Sequence, residues 1–179
     1  MQNKILKNND LDELDRSILR ILQADAHTPN VEIARRIGMA PSATLERIRK
    51  LERRSIIRAY RARLDPAALG LDLLAFVLVR TSGRRGGTKT GRRLASIPGV
   101  QEVHHIAGED CFLTKVRAAN PAALGELLRT RFGAIPEVSS TRTTIVLETI
   151  EETSNLPVPD SASATKSPAH SRKKGRGRA

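Results

Sequence analysis

A single cysteine, Cys111, is all that the 179 residues contain, so no disulfide can form within the chain. Long apolar runs are missing as well. The longest, Leu71 to Val79, includes Asp72 and falls far short of the roughly 20 residues that a membrane-crossing helix needs. The first ten residues, Met1 to Asp10, are polar, lack the apolar core of a secretion signal and are expected to be disordered. No Gly-rich phosphate loop of the P-loop or Rossmann kind occurs, and no acid–base pair stands at useful spacing, so an enzyme is not expected. Acidic residues are also few, 19 against 31 Lys and Arg, which leaves a net charge of +12. These absences point to a cytoplasmic chain without membrane business and with a polyanionic partner.

The basic excess is concentrated. Between Arg35 and Arg63 stand ten basic residues and only two acidic ones, Glu46 and Glu52. Around this stretch the apolar spacing is helical. Leu11, Leu14, Ile18, Ile21 and Leu22 predict a first helix, with Asp12 and Asp15 in its first turn, where the helix dipole favours negative charge. Asn30 is placed as the cap of a second, two-turn helix that carries Val31, Ile33, Ala34 and Ile37 inward and stops at Gly38. Pro41 suits the first position of a third helix, with Leu45, Ile48 and Leu51 facing the core. Arg58 to Arg63 alternates like a short exposed strand or wing, and Asp65-Pro66 reads as a bent linker.

Beyond Gly70 the pattern becomes β-α-β-β-α-β, a ferredoxin-like order. Leu73 to Val79, Val100 to Ile106, Phe112 to Val116 and Val138 to Ile150 read as strands. Thr88 to Ser96 reads as a helix weakened by Gly86, Gly87 and Gly91, and Asn120-Pro121 caps and opens another, with Leu124, Leu127, Leu128 and Phe132 inward. Arg84, Arg85, Arg92 and Arg93 make the first of these helices basic, which reads best as a solvated face. The fold class is therefore α+β. Domain boundaries are set at 11–63, a linker at 64–70, a second domain at 71–152 and a disordered basic tail at 153–179, which ends in Arg172, Lys173, Lys174, Arg176 and Arg178.

A short helix, a Gly-containing turn and a second helix with a polar outer face form the arrangement that enters the major groove of double-stranded DNA. Ser42, Ala43, Glu46, Arg47, Lys50 and Arg53 are expected on that outer face. Arg47 and Lys50 are the candidates for base edges, because guanine accepts a bidentate Arg contact; Arg35, Arg36, Arg49, Arg53, Arg54 and Arg58 are candidates for phosphates. His104, His105 and Cys111 do not suggest a metal, since neighbouring strand residues point to opposite faces.

Several stretches together resemble the leucine-responsive/asparagine-responsive regulator (Lrp/AsnC) family. They are Leu11-Asp12-Glu13-Leu14-Asp15, Gly38-Met39-Ala40-Pro41-Ser42, Arg49-Lys50-Leu51-Glu52, Ile57-Arg58-Ala59-Tyr60, Leu64-Asp65-Pro66, Ile97-Pro98-Gly99-Val100, Gly108-Glu109 and Thr141-Arg142-Thr143. The resemblance implies a winged helix-turn-helix followed by a ferredoxin-like βαββαβ (RAM) domain. It further implies a sequence-specific transcriptional regulator without a cofactor. Such a chain would assemble with itself as a homodimer, tetramer or octamer and be modulated by a small amino-acid-like effector. The residues matching the family's effector site are Gly108, Glu109, Asp110, Cys111, Thr141 and Thr143. Two positions depart from the family pattern. Ala40 stands where a capping Ser or Thr is usual, which costs the third helix about 1 kcal/mol. Cys111 and Phe112 stand where Asp and Tyr are common. A different class, an amino-acid-binding module acting through protein contacts, leaves the basic third helix without a purpose.

Overall fold

The computed structural model describes residues 11–82 and 87–159. Met1 to Asp10, the pair Arg84 and Arg85, Gly86 and the basic end of the tail, including Arg172 to Arg178, lie outside the described residues. Contacts divide the described chain into two compact units, residues 11–62 with 153–159, and residues 63–152.

Three helices make the first unit: α1 (Glu13–Ala24), α2 (Asn30–Ile37) and α3 (Pro41–Arg53). Asp12 caps α1, its Oδ1 accepting the Asp15 N–H at 2.8 Å. Asn30 does not cap α2. Pro29 occupies that position, and Asn30 Nδ2 donates to the Pro41 carbonyl at 2.8 Å, fastening the start of α3 to the start of α2. Gly38 ends α2 at φ 69°, a left-handed turn that glycine makes without strain. Ile18, Ile33, Ile48 and Leu51 form the core.

Two residues expected inside lie elsewhere: Val31 is 67% exposed and Leu45 37%. The apolar stripe of α3 runs through positions 44, 48 and 51, so Thr44 takes the place given to Leu45, its hydroxyl satisfied by the Ala40 carbonyl at 3.1 Å. Val31 stands in the first turn of α2, two residues before Ile33 and hence on nearly the opposite side of the helix from it. The wing is also absent as a strand: residues 58–65 form neither helix nor strand. Alternation makes a strand only where a second edge accepts its hydrogen bonds, and among the described residues no edge pairs with this segment.

In the second unit a 3-10 turn (Ala67–Leu69) leads into β1 (Leu73–Thr81), α4 (Thr88–Ala95), β2 (Val100–His105), β3 (Phe112–Ala118), α5 (Pro121–Leu127) with a π-helical turn (Leu128–Phe132), and β4 (Val138–Ile145). The sheet order is β2-β3-β1-β4, every neighbour antiparallel. One face carries Ala75, Val77 and Val79 of β1 and Phe112, Val116 and Ala118 of β3 against Leu94, Leu124 and Phe132 of the helical layer. The alternate residues Leu74, Phe76, Leu78 and Leu113 fall on the opposite face. Asn120 caps α5 as expected, accepting from the Ala123 N–H at 2.9 Å. The last strand stops five residues before Ile150, because its partner β1 begins at Leu73 and offers nothing past the Leu74 carbonyl, which Val146 N–H reaches at 2.9 Å.

Two glycines are fixed by close approach. A Cβ on Gly91 would meet the Phe112 ring at 3.1 Å, which explains a glycine inside α4. Gly99 stands at φ 89° with the Arg117 carbonyl 2.7 Å from where its Cβ would be. Gly99→Ala is therefore expected to destabilise the second unit by about 1–2 kcal/mol, the sum of a strained φ and a displaced backbone. Urea unfolding of that unit checks it; an unchanged midpoint would contradict the close approach.

Candidate nucleic-acid interface and ligand cleft

The buried stripe of α3 (positions 44, 48 and 51) dictates what the other side presents. Ser42, Glu46, Arg49 and Arg53 recur at i, i+4, i+7 and i+11, a second stripe two residues out of phase and hence on the opposite side. All four are exposed, as is Lys50 beside them; Ala43 is half-buried at the edge. Arg53 is held by Glu46 at 2.6 Å, and this guanidinium keeps the Glu46 carboxyl below its ordinary range. Arg49 and Lys50 lie exposed on the surface, available to a partner.

Arg47, expected to read bases, is placed otherwise. Its Nη1 lies 2.6 Å from Asp12 Oδ2 and 2.8 Å from Asp15 Oδ1, tying α3 to the first turn of α1. Its side chain is 29% exposed and that of Asp15 only 8%. Burial works to raise the Asp12 carboxyl, but the Asp15 N–H and the Arg47 guanidinium outweigh it and hold it below the usual range. The physical reason is position: residue 47 lies on the flank between the buried and outer stripes, within reach of an acidic helix start that must be neutralised. Sequence spacing put Arg49 among the phosphate candidates; in the structure it stands exposed in the outer stripe.

The remaining cations surround this helix. Arg35 and Arg36 of α2 share Glu32 at 2.8 and 2.7 Å; the Arg35 hydrogen bond, then that from Arg36, pulls the Glu32 carboxyl down to about 2. Arg54 follows the last turn of α3, and Arg58 is exposed. Tyr60 Oη donates to Glu52 Oε1 at 2.9 Å, pinning the segment after α3; burial and the Glu52 carboxylate raise its pKa to about 12.

In the second unit a cleft of about 300 Å³ opens beside the Gly108–Cys111 loop, lined by Arg80, Glu109, Asp110, Ser140, Thr141 and Arg142. Gly108 turns the loop at φ 128°. Of the six residues matched to an effector site, Glu109, Asp110 and Thr141 line the cleft and Gly108 shapes its loop. Cys111 and Thr143 do not line it. Cys111 N–H donates to the Val79 carbonyl at 2.9 Å, and its Sγ accepts from Thr81 Oγ1 at 3.1 Å, so the thiol belongs to the packing against β1. Thr143 is half-buried opposite Val77. Arg80 and Ser140 carry no sequence signal, and Arg142 enters only through the Thr141-Arg142-Thr143 likeness, without an assigned role. Only the order β3-β1-β4 brings them to the loop, and no spacing along the chain displays it.

His104 pairs with Glu102 at 3.1 Å, while the His105 ring packs on Phe112 at 5.2 Å between centroids. Among the described residues no three His, Cys, Asp or Glu group as metal ligands, and no helix is long and apolar enough to cross a membrane.

Comparison with known proteins adds the family. Residues 11–52 match the model of the AsnC-type helix-turn-helix domain, and residues 74–156 that of the Lrp/AsnC ligand binding domain. An HTH-type transcriptional regulator of Pyrococcus horikoshii is 39% identical over 148 residues, 83% of this chain and 97% of the relative. The leucine-responsive regulatory protein of Escherichia coli is 34% identical over 160 residues, 87% of this chain and 96% of the relative. The feast or famine regulatory protein of M. tuberculosis, solved in complex with L-methionine, superposes with a TM-score of 0.77 at 35% identity over 83% of this chain and 99% of that one. With both domain models matched in order on an α+β chain of this topology, the protein belongs to the Lrp/AsnC family of transcriptional regulators.

Proposed function

We propose that residues 11–63 bind double-stranded DNA with α3 in the major groove, and that residues 71–152, joined through the linker 64–70, pair with a second copy and take up a small amino-acid-like effector at the Arg80–Arg142 cleft. The observation that carries the DNA reading is the outer stripe of α3, in which Arg49, flanked by Lys50, stands exposed opposite the buried stripe. Ser42, Glu46, Arg49, Lys50 and Arg53 face the bases. Arg35, Arg36, Arg54 and Arg58 hold phosphates. The sheet face opposite the helices, with Leu74, Phe76, Leu78 and Leu113, supports a homodimer that can build to a tetramer or octamer. The protein acts in the cytoplasm through binding, without catalysing a reaction.

Mobility-shift titration of the full chain against promoter fragments at several salt concentrations tests the assignment. Affinity that falls steeply with salt is expected; no binding even at low salt would end the reading. Arg58→Ala should weaken specific and non-specific DNA about equally and flatten the log–log salt slope by about 1 per half-site. A change of sequence preference in that variant would move Arg58 from phosphate to base.

A further inference from the structure

We infer that the cleft beside the Gly108–Cys111 loop selects an acidic amino acid, one with a second carboxylate on its side chain; this rests on the effector reading proposed above. The walls are Arg80, Glu109, Asp110, Ser140, Thr141 and Arg142, with no aliphatic or aromatic side chain among them. An isobutyl or thioether group would meet only the Thr141 methyl and the methylenes of the charged side chains, so the apolar burial that rewards such side chains elsewhere is small here. Two guanidiniums and two hydroxyls face the space instead, and a planar guanidinium matches a carboxylate with paired donors.

The charges sort into roles by exposure. The Asp110 side chain is 16% exposed and fixed in place between Arg142 Nη2 at 3.0 Å and Arg80 Nε at 3.7 Å. It is the group positioned to receive an ammonium. Glu109 holds Arg80 Nη2 at 2.7 Å, but its side chain is 86% exposed, so it can swing into water with little loss. An entering acidic amino acid thus gives its ammonium to Asp110, one carboxylate to Arg80 in place of Glu109, and the other to Arg142, which sits 72% exposed on β4. Three positive and three negative groups then face one another. A neutral amino acid leaves Arg142 without a ligand partner, and a basic one sets its extra cation against two guanidiniums.

Calorimetric titration of the full-length protein with L-glutamate, L-aspartate, L-glutamine, L-methionine, L-leucine, L-lysine and succinate tests this. L-Glutamate or L-aspartate should bind at least about tenfold more tightly than the neutral and basic amino acids, and succinate should lose a similar factor for want of the ammonium. Arg142→Gln should remove about tenfold from the acidic amino acid alone, with the protein still folded because the side chain is exposed on an edge strand; Arg80→Gln gives a second, independent check. L-Methionine, L-leucine, L-glutamine or L-lysine binding as well as L-glutamate would overturn the inference while leaving an amino-acid effector in place. Succinate binding as well as the acidic amino acids would remove Asp110 from its role and overturn it too. No binding of any of them would overturn the effector reading itself.

Discussion

Arg47→Ala is expected to lower the melting temperature of the N-terminal unit by roughly 10 °C or more and, with it, to abolish binding to every DNA sequence alike. The variant strips the guanidinium from Asp15, a side chain only 8% exposed, and from Asp12 at the N-cap of α1. Removing one partner of a fully buried pair costs about 3–5 kcal/mol; with 29% of the Arg47 side chain in water, about 2–3 kcal/mol is expected. In a unit of this size each kcal/mol moves the midpoint by roughly 4–8 °C. Thermal melts of the full chain, with hydrogen exchange to locate the loss in α1 and α3, provide the measurement. A normal melt with altered base preference would instead restore Arg47 as a reader.

Acid gives the same ion pair a second signature. The folded Asp12 carboxyl lies below its ordinary value near 3.8, so its contribution to stability is fully present above that value and is lost as pH falls through the lower folded one. The wild-type unit should therefore lose stability below about pH 4 more steeply than Arg47→Ala, in which the Arg47 interaction is already gone. Parallel acid limbs for the two proteins would mean that Arg47 contributes nothing through Asp12.

Arg47 shows where a sequence stops informing: its charge on α3 is legible, its ion pairs with Asp12 and Asp15 are not. Gly38, Pro41 and the i, i+4, i+7 recurrence set the helices, because capping and amphipathic burial are local and leave local marks. Asn120-Pro121 opened α5 for the same reason. A flank position is different: residue 47 can serve either side of α3, and what decides it is an acidic helix start 35 residues earlier in the chain. Leu45 and Thr44 exchanged places on a shift of one residue in the stripe, since a threonine can be buried once its hydroxyl finds the Ala40 carbonyl. The cleft was half legible. Glu109 and Asp110 lie in a loop marked by Gly108, whereas Arg80 and Arg142 come from strands far apart in the chain that register beside each other only in the sheet. Long-range pairing of this kind leaves no periodic trace.

In the DNA reading proposed above, base reading lies with the outer stripe, and Arg49→Ala is expected to weaken operator binding by about 5- to 150-fold per half-site while barely changing affinity for random DNA. Among the described residues Arg49 makes no ion pair and feels Glu46 only at longer range, so its guanidinium has less to give up on entering the groove than Arg53, which is hydrogen-bonded to Glu46. A dimer carries the substitution in both of its reading helices, so on a symmetric operator the factor approaches its square, and on a half-operator it does not. Lys50→Ala should follow with a smaller factor, because a single ammonium discriminates less than a bidentate guanidinium. Competition titrations with operator, half-operator and random duplexes separate these outcomes. Equal losses on all three duplexes would place Arg49 on a phosphate and return base reading to some other residue of the stripe.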